Sequence, residues 1–354
     1  MKITRATVRG VDVPLTRPYA VANHATDTAS MVLVRLEADG PLVGLGAATP
    51  EPAVNGDTRD AALAQLQQGL ERVCGREVAP SAAFADVVAG LRSPGARMAL
   101  DVALHDLWAC AAGKPLVELL GRVHAALPTS VTIGVCDVAA TLRDAVEYVG
   151  RGFSVLKVKI GEDFDLDLER LARLREFVGP AVAIRVDGNV GYRPPQLLPL
   201  LRAAQTFDLE FVEQPLATAD VLVQRALPAP LVAKLMADES LHGIDDAQRL
   251  AAPPRPFGLW NIKLVKCGGI APARELAAVA AGAGIGLMWG CMDESRIAIA
   301  AALHAALACP ATRFLDLDGH LDLARDFASG GFTLERGVLR LLDAPGLGVR
   351  DEGP

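Results

Sequence analysis

The chain has 354 residues, 51% apolar and 22% charged, with 42 acids against 35 bases. Such values belong to a globular protein, matched to two domains or to one large barrel with an appendage, and they exclude disorder as the main state. The net charge of −7 has the wrong sign for binding along a phosphate backbone, so no nucleic-acid partner is expected.

The first residues, with Lys2 and Arg5 among alternating polar positions, lack the apolar run of an export signal. Ile3 to Val13 and Met31 to Glu37 alternate as strands do, and Gly40 marks a turn after the second. Gly44-Leu45-Gly46 is followed by Ala47-Ala48-Thr49, so the GxGxxG nucleotide motif is incomplete, and no P-loop is present. Helical patterns follow over Arg59 to Cys74 and Met98 to Ala112, with Arg76 to Ser81 as a connector between them. Gly113 and Pro115 stop the second helix.

From about Pro128 the pattern changes to short apolar runs alternating with helical segments. The runs are Ser130–Val135, Val155–Ile160, Ala183–Asp187, Leu209–Glu213, Leu235–Asp238, Leu259–Lys263, Ile285–Trp289 and Arg313–Asp316. Eight such runs predict a parallel α/β barrel rather than an open doubly wound sheet. The longest uncharged stretch, Leu276 to Met292, has 17 residues, four of them glycine, short of the roughly 20 residues a membrane span needs. Six cysteines without a CxxC pair read as reduced, buried thiols. A cytoplasmic protein without a membrane partner is the expectation.

Polar residues recur at the ends of these runs: Lys159, Asp187, Glu213, Asp238, Lys263 and Asp316. The first five are separated by 28, 26, 25 and 25 residues, one βα unit per step. Barrel active sites assemble at the C-terminal ends of strands, so these residues are expected at one mouth. Asp187, Glu213 and Asp238 would repel one another without a cation. All-oxygen ligation points to Mg²⁺, with Mn²⁺ as a substitute, and the lack of His or Cys argues against zinc. Lys159 and Lys263 flank the carboxylates on either side. Lys157 shares a strand face with Lys159, and its charge is expected to lower the pKa of Lys159. A metal with a lysine on each side suits removal of a proton α to a carboxylate and its return on the opposite face. Schiff-base chemistry would need no carboxylate triad.

Lys157-Val158-Lys159, Asp187-Gly188-Asn189, Val212-Glu213-Gln214-Pro215, Ala237-Asp238-Glu239-Ser240 and Asn261-Ile262-Lys263-Leu264-Val265-Lys266-Cys267-Gly268-Gly269 together resemble the enolase superfamily, in particular its muconate lactonising subgroup. The likeness extends to the helix Ala99 to Leu107 and to the closing Pro345-Gly346-Leu347-Gly348. The resemblance implies an α/β fold: a (β/α)₇β barrel over residues 126–324 under an α+β capping domain over residues 1–125. The tail, about 325–354, would return to the cap. It implies Asp187, Glu213 and Asp238 as ligands of one Mg²⁺, Lys159 and Lys263 as the acid–base pair, and Lys157, Asn189 and Glu239 as supports. It also suggests a homo-oligomer.

Asp316-Leu317-Asp318 resembles the DxD element with which dipeptide epimerases bind a substrate ammonium, and two carboxylates there suit a cation. By the same resemblance, Asp293 occupies a substrate-facing place that is apolar in Ala-Glu epimerases. His24 falls where those enzymes carry an arginine, and Glu51 sits on a capping loop near the site. The expectation is a Mg²⁺-dependent dipeptide epimerase acting on the C-terminal residue and preferring dipeptides with Lys or Arg. The alternatives are an N-acylamino acid racemase or muconate cycloisomerase-type reaction, and a non-catalytic carboxylate-binding protein.

Overall fold

A computed structural model describes residues 1–21 and 24–353, without the side chains of residues 17–26. Three antiparallel strands open the chain: β1 (Ile3–Val21), β2 (His24–Ala38) and β3 (Val43–Ala48), in the order β1-β2-β3. The first two run well beyond the alternating segments that predict them, because their pairing continues past Pro14 after a register shift. The third is not signalled by its composition. Gly44 and Gly46 are there for helix packing rather than nucleotide binding. A methyl group on either would overlap backbone of the helix Pro94–Ala111, at Ala103 and Ala99 respectively.

That helix starts earlier than its apolar pattern predicts. Ser93 caps it, accepting from Ala96 N at 3.0 Å, and Pro94 supplies a preset first position. It is buried almost all round, between the cap sheet and the barrel. A second long cap helix, Arg59–Gly69, is capped by Thr58 and passes into a 3₁₀ turn at Leu70–Arg72.

After the short β4 (Leu127–Pro128) the eight predicted runs form one parallel sheet in chain order. These strands are β5 (Val131–Ile133), β6 (Val155–Lys159), β7 (Ala183–Asp187), β8 (Leu209–Glu213), β9 (Leu235–Ala237), β10 (Leu259–Lys263), β11 (Gly286–Gly290) and β12 (Thr312–Asp316). The barrel closes between its first and last strands through Ser130 N to Leu315 O at 3.1 Å and Leu317 N to Thr129 Oγ1 at 2.8 Å. The fold is therefore a (β/α)₇β barrel with an α+β cap, as expected. The register sets the site: Lys159 pairs with Asp187 and Asp187 with Glu213, while Lys263 pairs with Gly290 and Gly290 with Asp316. All these residues end their strands on the same side of the barrel.

The tail forms β13 (Ala328–Gly330), β14 (Phe332–Glu335), β15 (Val338–Leu341) and β16 (Val349–Asp351), with β15 pairing to β4. Leu347 N then donates to Asp106 Oδ1 at 2.7 Å on the buried cap helix, and Arg9 of β1 pairs with Asp351 at 3.0 Å. All six cysteines are free, and no helix among the described residues is long and apolar enough to cross a membrane.

Candidate active site

The strand ends place Asp187, Glu213 and Asp238 together, with one ligand oxygen from each within 4.8 Å of the others and all three side chains buried. Asn261, two residues before Lys263 and so on the same strand face, fixes Glu213 by donating to Oε1 at 2.6 Å. The other oxygen, Glu213 Oε2, lies 2.8 Å from Lys157 Nζ but outside hydrogen-bonding geometry, a buried oxygen left unsatisfied by direction. Buried oxygens converging in this way fit a hard divalent cation, and Mg²⁺ is the group these residues would hold. Burial pushes Glu213 up to about 8, with Asp187 adding to the effect. Against burial, Lys157 and Lys159 hold Asp187 well below the usual carboxylate range.

The two flanking lysines are held at different corners of this triad. Lys159 donates to Asp187 Oδ2 at 2.7 Å and to Asn189 Oδ1 at 2.9 Å. Asn189 in turn donates to Glu239 Oε1 at 3.1 Å, which links two of the three expected supports. Lys263 donates to Asp238 Oδ2 at 2.8 Å. Lys266, one turn further on, grips the other oxygen of Asp238 and donates to its carbonyl at 2.6 Å.

Lys157 departs from expectation. It is a hub, 3.0 Å from Asp187, 2.8 Å from Glu213 and 2.8 Å from Asp316. Burial and the Lys157 charge both work against the Lys159 ammonium, but Asp187 and Glu213 outweigh them, so Lys159 sits above the ordinary lysine value. The expected net lowering is corrected: Asp187, bonded directly to the ammonium, dominates, with Glu213 adding to it. Lys263 is raised as well, burial being overcome chiefly by Asp238.

The lysines face a cavity that is open at its mouth. It is lined by three lysines, Lys157, Lys159 and Lys263, and by seven carboxylates: Glu51, Asp238, Glu239, Asp293, Asp316, Asp318 and Asp322. Asp316 is already committed, with Oδ2 to Lys157 at 2.8 Å and Oδ1 to Ser130 Oγ at 2.6 Å. Asp318 accepts from Thr132 N at 2.7 Å, and burial together with Asp316 pushes it up to about 7. Burial and Asp318 likewise push Asp293 up to about 7. Glu51 caps the turn Pro52–Asn55, accepting from Ala53 N at 3.1 Å, and reaches the cavity from the cap. The side chain of His24 lies outside the described residues.

Sequence reasoning missed Asp322, Lys266 and Asn261. Lys266 and Asn261 flank Lys263 at helical and strand spacing respectively, a signal that was readable. Asp322 follows a loop turn with no periodicity to mark it. Trp289, a residue open to over-reading, is fully buried and donates to Thr312 Oγ1 at 2.8 Å, so it packs rather than lines the cavity.

A parallel barrel under a cap, with lysines on either side of a buried carboxylate triad, defines an enolase-like enzyme. Residues 3–121 match the N-terminal domain of the mandelate racemase / muconate lactonizing enzyme family, and residues 140–351 match the enolase C-terminal domain-like family. The chain belongs to the mandelate racemase / muconate lactonizing enzyme family of the enolase superfamily. It is 51% identical over 352 residues to an L-Lys-D/L-Arg epimerase of Methylococcus capsulatus, covering 99% of both chains. It is 46% identical to an L-Lys-D/L-Arg epimerase of Desulforapulum autotrophicum, again covering 99% of both. The structure of a dipeptide epimerase from Methylococcus capsulatus, complexed with Mg and the dipeptide L-Arg-D-Lys, superposes with a TM-score of 0.96 at 51% identity, covering 99% of each chain.

Proposed function

We propose that this chain is a Mg²⁺-dependent dipeptide epimerase that inverts the α-carbon of the C-terminal residue and prefers dipeptides carrying Lys or Arg. The observation that carries this reading is that Lys159 and Lys263 face one cavity while bonded to different members of a single carboxylate triad. Asp187, Glu213 and Asp238 would hold Mg²⁺, which would supply positive charge against the negative charge that develops on a substrate carboxylate as its α-proton leaves.

One lysine takes the α-proton and the other delivers a proton to the opposite face. Asn189 and Asp187 aim Lys159, and Asp238 aims Lys263. Asp318, with Asp316 beside it, receives the substrate ammonium. The preference for cationic side chains is supported by the acids Glu51, Asp293, Asp318 and Asp322 in the cavity lining, and by the likeness to two L-Lys-D/L-Arg epimerases. Asp293 and Glu51 are the residues we assign to that preference. We further propose a cytoplasmic homo-oligomer, divided into cap and barrel near residue 125.

Deuterium uptake from heavy water into a library of L,L-dipeptides with Mg²⁺ tests the reading. Uptake at the C-terminal α-carbon of Lys- and Arg-containing dipeptides is expected. No uptake with any dipeptide removes the function, and uptake confined to acidic dipeptides removes only the preference.

A further inference from the structure

The two lysines are supported by unlike machinery behind them, and the support of Lys159 includes a buried arginine that the reaction does not itself use. Arg170 lies on the helix Phe164–Val178 that follows β6, and its side chain is wholly buried. Its Nη1 donates to the carbonyl of Lys159 at 2.9 Å and to Asp167 Oδ1 at 3.0 Å. Its Nη2 donates to Gly134 O at 2.9 Å on the loop after β5, and its Nε to Thr141 Oγ1 at 2.9 Å. Asp167 completes the clamp, accepting at Oδ2 from Gly161 N at 2.8 Å and from Tyr192 Oη at 2.6 Å. One ion pair therefore holds the chain at Lys159 and again two residues later. Gly161, at φ +117°, packs so closely on Gly188 and Gly191 that no side chain fits, which locks this turn to the loop carrying Asp187 and Asn189.

Lys263 has no arginine bonded to its carbonyl among the described residues. Its carbonyl stands at the N-cap of the short helix Leu264–Cys267 and also receives the thiol of Cys267 at 3.5 Å, and its ammonium is placed through Asp238, which Lys266 holds as well. The Lys263 side is held instead by Lys266, whose ammonium donates to the carbonyls of Asp238 at 2.6 Å and Asn261 at 3.4 Å.

We propose that Arg170, with Asp167, is the positioning group for Lys159 and acts on one of the two proton-transfer faces only. This rests on the epimerase reading above. Loss of the clamp lets the β6 end shift, and a misplacement of about 1 Å costs on the order of 10²-fold in rate at the displaced group. The opposite lysine keeps its own supports. Abstraction of the α-proton then fails for the isomer whose proton faces Lys159 and persists for the isomer whose proton faces Lys263.

The test measures α-deuterium uptake separately from each C-terminal epimer of a Lys-Arg dipeptide, with Mg²⁺, for wild type, R170K and D167N, with thermal melting as the folding control. The expected result is a fall of about 10²-fold for one epimer and a change of less than about twofold for the other. Equal losses in both epimers, or no loss in either, overturn the positioning role while leaving the epimerase reading intact. Failure of both variants to fold also overturns it, since the clamp is then a folding element. No uptake from either epimer by wild type overturns the epimerase reading, and the proposal with it.

Discussion

Lys159 and Lys263 hold different members of one carboxylate triad, Lys159 on Asp187 at 2.7 Å and Lys263 on Asp238 at 2.8 Å. Neither lysine touches the partner of the other among the described ion pairs, so each can be removed without unpairing both. K159M and K263M are each expected to abolish net epimerisation, with a loss of about 10²–10⁴-fold for the missing acid–base group. Each variant should keep α-deuterium exchange with one epimer, and the two should keep opposite ones. Polarimetry and NMR exchange on purified epimers check this.

The triad predicts a metal requirement with a thermal signature. Chelation should remove activity, and Mg²⁺ should restore it. Mg²⁺ at about 100 times its dissociation constant should add about 2.7 kcal/mol of stability by linkage, visible as a rise in Tm. E213Q should reduce both effects, because it weakens the anionic site where burial already works against charge.

Asp293 and Asp318 are pushed up to about 7 by burial and neighbouring acids. An acid with a raised pKa is neutral below that value and anionic above it. The cavity therefore becomes more attractive to cations as pH climbs through about 7. For Lys- and Arg-containing dipeptides kcat/KM should rise across this range more steeply than for dipeptides with neutral side chains. D293N should flatten the difference and raise KM for the cationic substrates, while affecting neutral ones little. Parallel pH profiles for the two substrate classes check it.

Gly46 faces the backbone of Ala99 and Ala103 on the buried cap helix with no room for a methyl group. The obstacle is backbone, so no rotamer change relieves it. G46A should destabilise by about 1–3 kcal/mol or more, as overpacking does. Urea denaturation with an unchanged m-value would show it.

The barrel was legible because its strands end in residues that a core rejects. Lys159, Asp187, Glu213, Asp238 and Lys263 interrupt apolar runs at one-unit spacing, and the spacing alone predicts that they meet. What was hidden depends on partners far along the chain. β3 reads as a glycine-alanine segment, since its two glycines answer to a helix some fifty residues later. Arg170 reads as one charge among several on an amphipathic helix, and only the fold buries it. The net charge state of Lys159 was misjudged because a sequence shows Lys157 two residues away but not the carboxylates that both lysines meet.

The helix Pro94–Ala111 has a further consequence. Asp106 receives Leu45 N from the cap sheet and Leu347 N from the tail, at 2.8 and 2.7 Å. Asp101 receives Ile270 N, at the start of the helix after the Lys263 loop, at 2.6 Å. One rod of the cap thus carries knots tied by three distant stretches of chain. A gene cut between cap and barrel would leave buried carboxylates on one fragment and unanswered amides on the other. The two halves should assemble only when supplied together, as an enzyme reconstituted from complementary pieces.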